Sequence, residues 1–464
     1  MSEKRRTLAA GKSQQRITRR EFIGGASVAA LSFTVVKPEL VRGVDTNSKI
    51  NLGMIGCGGR AGAHLRALEN RIKRKGDCRI VAVSDLYQRR LRAAVERTGA
   101  KGCRDYRELL ARDDVDAVFA PIPWHWHAKV CIDTCEAGKD IYIETPMANT
   151  IEDARKVYET VTRTKRILEV GNQPVCDDKY WRAREVVRSG VLGKILIMKV
   201  NYTRNSRGGQ WNYPIDKDAG PESIDWPTWQ GWRWGLAPER PFSRERFFRW
   251  RKFRDYGGGA ASDLLCHGLG YMFVATGHEF AYQAASAGGQ FVEMDRDVFD
   301  TYLTMVEFPS GYVCLMDGTM VNEQAGSDTI RGHEATLFIE NDGVVVVPER
   351  PFAKEFQEKC NAAGLKGEWI DYMIRKGGAE YSVKSLRIRK KKSELSTTEL
   401  LHDDFLRCVR TREKPLEGAL EGYKITVAVE MGVQSYFQNR MMYFDPEKRE
   451  VLKNIPPRKN QKKL

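Results

Sequence analysis

The chain has 464 residues, a hydrophobic fraction of 42% and a formal net charge of +15. That is enough length for two domains with sizeable cores, and enough apolar content to exclude a chain that stays disordered. The charge does not mark a nucleic-acid-binding face. Residues 1–48 carry nine Lys and Arg against four Asp and Glu, and residues 447–464 carry seven against two. Most of the excess therefore lies at the two ends, without a base-reading motif, and the run Arg387–Lys392 reads as solvated surface. No apolar run reaches the roughly 18 residues of a spanning helix. The ten cysteines show no CxxC and no metal spacing. Cys57, Cys78, Cys131, Cys266 and Cys314 sit in apolar stretches and read as buried thiols. No metal site is expected.

The first segment is Thr18-Arg19-Arg20-Glu21-Phe22-Ile23-Gly24, with basic residues before it and a modest apolar stretch to Val36 after it. It resembles the twin-arginine export signal, which carries proteins already folded. The resemblance implies a periplasmic protein that crosses the membrane with any cofactor loaded and its thiols unpaired. No small-x-small cleavage site stands between Val36 and Ser48, so an uncleaved segment would tether the protein to the membrane.

From Lys49 strands alternate with helices. "INLGMIG", "CRIVAVSD", "VDAVFAP", "DIYIE" and "RILEVG" read as strands, separated by helical stretches at Arg60 to about Lys75, "QRRLRAAVERTG", His127 to Ala137 and "IEDARKVYETVTRT". That alternation predicts a parallel sheet covered on both faces. Between the first strand and first helix, Gly56-Cys57-Gly58-Gly59-Arg60-Ala61 fits G-x-G-x-x-A. Gly56 permits the tight turn, Gly58 lets backbone approach a pyrophosphate, and Ala61 permits close helix–strand packing. The helix start offers N–H groups to phosphate, and Gly59 and Arg60 lie in that turn. Asp85 ends the second strand, where a carboxylate accepts from ribose hydroxyls and favours NAD over NADP. Arg89 and Arg90 stand close by and keep NADP open.

"DAVFAPIPWHWHAKVCIDTCEAGKDIYIETP", "GNQ" at 171–173, "YGGGAASDLLCHGLGYM", "IRGHEATLFIE", "HDDFLRCVRTREKP" and "YFDPE" follow in order. Over residues 50 to 447 the chain resembles the glucose–fructose oxidoreductase / inositol dehydrogenase (Gfo/Idh/MocA) family. The resemblance implies an α/β protein: an N-terminal Rossmann domain joined to a C-terminal α+β domain built on a large, mostly antiparallel sheet. It places Pro123 and His127 in a Pro-x-x-x-His element beside the ribose or nicotinamide. It places Glu144 in the family's Glu-Lys-Pro motif, and Asp263 and His267 in an Asp-x-x-x-His helix whose histidine is the acid/base. Two departures stand out: Thr145 replaces the motif's lysine and offers no positive charge, and Trp124 stands where many members carry a small polar residue. The resemblance also implies a dimer or tetramer formed through the outer face of the second sheet.

Asp263 and His267 are four apart, so on a helix they share a face, and the carboxylate is expected to orient the imidazole. His125 reads as structural or exposed, since H-x-H alone falls short of a zinc site. Residues 201–256 are dense in aromatics, which leaves two readings open: a sugar cleft, or an insertion packed against the sheet or a partner subunit. "DWPTWQGW" within them resembles a segment shared by exported bacterial members of the family. "TYLTMVEF" and "GYVCLMDGTM" alternate as antiparallel strands, and "EATLFIE" and "GVVVVP" flank a turn at Asn341-Asp342-Gly343. Residues 353–397 read as a polar, irregular excursion, "ELLHDDFLRCVRT" and "EGYKITVAVEMGVQSYF" as helices, and the tail after Lys448 as mobile.

The expected organisation is a signal and linker at 1–48, an NAD(P)-binding domain at 49–171, a substrate and oligomerisation domain at 172–446 and a basic tail at 447–464. The expected activity is hydride transfer between NAD(P) and a sugar, polyol or glycoside. Two alternatives stay open. One is redox-neutral glycoside cleavage or epimerisation around a retained NAD, since free NAD is scarce outside the cytoplasm. The other is a non-catalytic sugar- or nucleotide-binding protein, because Thr145 replaces lysine.

Overall fold

The computed structural model describes residues 49–453 apart from Gly377. The twin-arginine-like segment and residues 454–464 lie outside the described residues.

Six short strands form one parallel sheet: β1 (Ile50–Ile55), β2 (Cys78–Ser84), β3 (Lys101–Cys103), β4 (Ala117–Ala120), β5 (Asp140–Glu144) and β6 (Leu168–Gly171), in the order β3-β2-β1-β4-β5-β6. β4 is buried throughout. A parallel sheet covered on both faces needs such continuous apolar runs rather than alternation. The connecting helices are α1 (Gly59–Lys75), α2 (Gln88–Thr98), α3 (His127–Glu136) and α4 (Ile151–Thr164). α1 and α2 end on left-handed glycines, Gly76 and Gly99. The strand order reverses between β1 and β4, and a dinucleotide crevice opens at such a switch point.

α5 (Asp178–Ser189) leads into an eleven-stranded sheet. Its strands are β7 (Ile195–Thr203), β8 (Gln283–Gly289), β9 (Thr301–Glu307), β10 (Val313–Thr319), β11 (Asp328–Gly332), β12 (Ala335–Glu340), β13 (Gly343–Pro348), β14 (Glu368–Lys376), β15 (Ala379–Arg389), β16 (Met442–Asp445) and β17 (Glu450–Leu452). The order is β14-β15-β13-β12-β11-β7-β10-β9-β8-β16-β17, antiparallel except for the β7–β10 pair. On β9, Tyr302, Thr304 and Val306 are buried while Leu303 and Met305 are exposed on the opposite face. Helix α6 (Cys266–Thr276) packs on α5. Helix α7 (Thr397–Thr411) packs on α1, and α8 (Ala419–Gln438) touches both β8 and α4. These helices fix the two sheets together around the crevice.

Two expectations are corrected here. Residues 353–397 are not an irregular excursion: they hold a helix at Phe356–Ala362 and the β14–β15 hairpin. The hairpin buries residues on both faces, Leu386 and Ile388 on one and Val383 on the other, and the charged residues of an edge pair obscure either pattern. The tail does not begin at 447, because Glu450–Leu452 pairs with β16.

Burial pushes six of the seven histidines below the ordinary range: His125 to about 3, His278 to about 4, and His64, His127, His267 and His402 in the same direction. Unfolded imidazoles bind protons more readily. Stability therefore falls as pH drops below about 6.5, and it keeps falling until the folded histidines charge. Burial pushes Glu417 and Glu430 up to about 8. Their contribution is full at low pH and is lost as pH rises from the ordinary carboxyl range toward 8. Urea midpoints measured across pH are expected to peak near about 6.5, and a midpoint that rises steadily toward pH 4 contradicts this balance.

Candidate active site

β1 ends at Ile55 and the chain turns at Gly56, with φ 87°. A Cβ on Gly56 would lie 2.8 Å from the Pro121 oxygen and 2.9 Å from Ile122 Cγ2. Its N–H donates to the Ser84 oxygen at 2.8 Å. A Cβ on Gly59 would meet nothing within 4 Å, so open space lies in front of the loop. Gly58 caps α1 without a side-chain bond, which leaves the first-turn N–H groups free for an anion. Ala61 is buried under the helix. Gly56→Ala is expected to cost about 1–3 kcal/mol in backbone strain, with further cost from the clash, and to weaken NAD binding. Denaturant midpoints and nucleotide titration check both.

Asp85 accepts from the Cys57 N–H on Oδ2 and from the Tyr87 N–H on Oδ1, each at 2.7 Å. Each oxygen keeps a lone pair for a ribose hydroxyl. Arg89 is held by Asp218 at 2.7 Å. Arg90 lies over Tyr87, Phe247 and Phe248, and its guanidinium would stand 3.3 Å from a Cβ on Gly58.

Glu144 ends β5 and joins three donors: Arg60 Nε at 3.1 Å, His64 Nε2 at 2.7 Å and Gln173 Nε2 at 3.2 Å. Burial opposes its charge, but the His64 hydrogen bond and Arg60 outweigh that and bring its pKa down to about 2. His64 Nδ1 faces His402 Nε2 at 2.8 Å. Glu144 is thus spent on Arg60 and a buried histidine pair that ties α1 to α7.

His267, in the first turn of α6, presents Nε2 to Thr145 Oγ1 at 2.9 Å and Nδ1 to Asn172 Oδ1 at 3.0 Å. Asn172 Nδ2 donates to Glu417 Oε2 at 3.0 Å. The expectation that Asp263 orients His267 is corrected. The chain makes a π-turn over Ala261–Leu265, and Asp263 accepts from Arg251 Nε at 3.1 Å and Trp211 Nε1 at 3.3 Å. Asn172 holds the imidazole instead. Asp263 acts on His267 only as a nearby charge, favouring its protonated form against the larger effect of burial. Tyr202 and Arg204, at the end of β7 and hydrogen-bonded at 2.9 Å, lie beside this group, the Tyr202 ring 6.4 Å from that of His267.

His127 does not face the crevice. It is fully buried, with Nδ1 at 2.7 Å from the Pro146 oxygen and Nε2 at 3.0 Å from the Ile122 oxygen, so it joins the loops after β4 and β5. Pro123 caps the 3-10 turn Trp124–Trp126. Trp124 packs edge-on against Trp250 and fills the space a Cβ on Gly257 would need. His125 is buried and bonds the Trp229 oxygen at 3.0 Å. Most of the aromatic stretch forms a second core: Trp226, Trp229, Phe247, Phe248, Trp250 and Tyr256 close on Tyr87 and Trp124. Backbone bonds from Gln88 to Ser223 and from Asp225 to Leu86, both 3.0 Å, stitch this insertion to the turn after β2. These rings are packed rather than free to line a cleft, but on the loops after β2 and β4 and not on the second sheet as expected, while Tyr202 and Trp211 remain beside His267 and Asp263.

The model of the oxidoreductase family's NAD-binding Rossmann fold matches residues 50–172, and that of its C-terminal alpha/beta domain matches residues 184–444. The chain belongs to the Gfo/Idh/MocA oxidoreductase family. Two solved structures of similar fold are the WlbA dehydrogenase of Bordetella pertussis, in complex with NADH and UDP-GlcNAcA, and the aldose-aldose oxidoreductase of Caulobacter crescentus, complexed with glycerol. The first is 18% identical, with a TM-score of 0.61, covering 86% of this chain and 99% of that one. The second is 17% identical, with a TM-score of 0.60, covering 85% and 100%. A "glycosyl hydrolase family 109 protein" of Shewanella baltica is 35% identical over 124 residues, 26% of each chain. The match thus spans about a quarter of that relative.

The first domain of this family member is an NAD-binding Rossmann domain, and its residues fit the dinucleotide. The glycine cradle leaves no room for a side chain at Gly56, α1 starts without a side-chain cap, and Arg60 Nη2 is a buried donor without a partner among the described residues. Residues 56–61 would hold the pyrophosphate and Asp85 a ribose. Sequence reasoning missed Asn172 and Glu417. Asn172 sat visibly in "GNQ" after β6, but an acid in the loop before α8 carries no signal of burial.

Proposed function

We propose that this chain transfers hydride between NAD and a carbinol carbon of a sugar, polyol or glycoside, with His267 as acid/base. One observation carries the reading: His267 Nδ1 lies 3.0 Å from Asn172 Oδ1. An amide oxygen only accepts, so Nδ1 donates, Nε2 offers a lone pair, and burial favours the neutral ring. Bound NAD supplies the hydride acceptor. The chain's own groups do the rest. Asn172 fixes the tautomer, His267 is the base whose protonation accompanies oxidation, and Tyr202, Arg204 and Arg251 offer polar and aromatic surface to a sugar. The sugar and nucleotide-sugar ligands of the fold neighbours support this substrate class.

A second reading is redox-neutral glycoside cleavage around a retained NAD. The insertion favours it: by bonding the turn after β2 and packing on Trp124–Trp126 after β4, it ties together two walls of the crevice. The glycosyl hydrolase relatives point the same way. Export by the twin-arginine route to the periplasm would make such retention necessary. We also propose self-association through the sheet face that exposes Leu303 and Met305.

The test is to purify the full chain, identify the nucleotide released on denaturation, and incubate the protein with aldoses, an anhydrosugar and methyl glycosides. Accumulating NADH with oxidised sugar supports the dehydrogenase. Cleaved glycoside without net NADH, from protein carrying near-stoichiometric NAD, supports the second reading. Sugar binding without either product leaves a binding protein.

A further inference from the structure

Thr145 stands at the position that most weakens an ordinary dehydrogenase reading, and its surroundings give it a different task. Its Oγ1 lies 2.9 Å from His267 Nε2. The direction of that bond follows from the groups behind it. Asn172 Nδ2 faces two acceptors, Glu417 Oε2 at 3.0 Å and the His267 backbone oxygen at 3.4 Å. Its Oδ1 is therefore the atom turned toward His267 Nδ1, and Nδ1 carries the proton. Nε2 of the neutral ring has one lone pair, and Thr145 donates into it. A substrate hydroxyl cannot claim the same lone pair while that bond stands. The Thr145 oxygen, however, keeps acceptor capacity of its own, and Thr145 retains 8% exposure beside the half-buried His267.

We propose that Thr145 is a catalytic proton relay: the substrate hydroxyl passes its proton to Thr145 Oγ1 while Thr145 passes its own to His267 Nε2. The inference rests on the hydride-transfer reading above. In the oxidative direction the substrate O–H bond breaks and a new Thr145 O–H forms. The old Thr145 O–H breaks and an Nε2–H forms. The carbinol C–H leaves with its electron pair as hydride to oxidised NAD, and the oxygen's electron pair closes the carbonyl. Thr145 ends unchanged and His267 ends as imidazolium, favoured by the charges of Asp263 and Glu144 and disfavoured by those of Arg204 and Arg60. The missing lysine is thereby replaced by a neutral hydroxyl that moves a proton without storing charge.

Thr145→Val and Thr145→Ser separate this from a structural role. Both are made in the full chain, loaded with NAD and assayed on the sugar the wild type turns over fastest among the aldoses, anhydrosugar and methyl glycosides. Thr145→Val is expected to lower kcat about 10²-fold, the low end of general acid–base effects, with NAD binding unchanged. Thr145→Ser is expected to keep most of the rate. In mixed light and heavy water the wild type is expected to give a bowed dependence of rate, from two protons in flight, and Thr145→Val a straight one. With nitrogen-labelled imidazoles, His267 Nε2 is expected to report an accepted hydrogen bond in wild type and Thr145→Ser but not in Thr145→Val. The relay is overturned, with the hydride-transfer reading intact, if Thr145→Val turns over like wild type or if Nε2 carries the proton in wild type. A wild type that turns over none of the sugars overturns both.

Discussion

His267→Ala is expected to lower kcat by about 10²–10⁴-fold while leaving NAD binding unchanged. The reason is positional. His267 makes its side-chain bonds to Thr145 and Asn172, in the second half of the crevice, and none to the glycine loop or Asp85. The pH profile carries a second expectation. Burial lowers the imidazole pKa, with Asp263 and Glu144 opposing it and Arg204 adding to it. The base form therefore persists at pH values where an ordinary histidine is already half protonated, and the acidic limb of kcat/KM falls below about 6.5. An acidic limb at or above that value, or a His267→Ala enzyme with wild-type kcat, removes His267 from the chemistry. Nucleotide titration alongside the rate measurement shows whether the lost activity is lost binding.

Glu144→Ala is expected to destabilise the protein by about 1–3 kcal/mol, the cost of leaving the buried His64 donor without its acceptor. Its carboxylate holds Arg60 and His64, and His64 in turn pairs with His402. Removing the acid leaves a half-buried guanidinium without its counter-charge and the two imidazoles facing each other with one proton unplaced. The effect reaches both ends of the fold, because α1 and α7 meet at this pair. Denaturant unfolding is expected to show a lower midpoint at an unchanged slope. Glu144→Gln keeps one acceptor oxygen and is expected to lose less. Equal midpoints for wild type and Glu144→Ala would mean that solvent, not Glu144, satisfies Arg60 and His64.

The first domain was legible because its physics is local. Apolar runs in β1, β4 and β5, glycine stops after α1 and α2, and a glycine loop between strand and helix each speak within a few residues. The β9–β10 and β12–β13 hairpins were legible for the same reason. The β14–β15 hairpin was not, because its buried side changes between Val383 and Leu386 and its edge position fills the rest with Lys and Arg. Site residues divided along similar lines. Gly56, Asp85 and Thr145 lie where a motif puts them. Asp263 failed as the orienter of His267 because a π-turn shifts the i,i+4 register that the sequence spacing assumes. Asn172 and Glu417 stand 95 and 150 residues from His267 in chain order, so only the fold brings them into one hydrogen-bonded row. Glu144 and His127 sit where the motif puts them but turn inward, and backbone pattern alone does not say which way a side chain turns.

Isotope transfer reports the movement of hydride itself. The purified full chain, saturated with NAD, is incubated with carbon-deuterated D-glucose, its methyl glycoside and its 1,6-anhydro form, and the nucleotide is then recovered and weighed by mass spectrometry. Deuterium is expected on the nicotinamide with at least one of these sugars. It should be seen whether NADH accumulates or is consumed again within a redox-neutral cycle, and it should be lost in His267→Ala. Unlabelled nucleotide and unchanged sugar in every case, from protein that demonstrably binds both, would contradict hydride transfer and leave a binding protein built on an oxidoreductase fold.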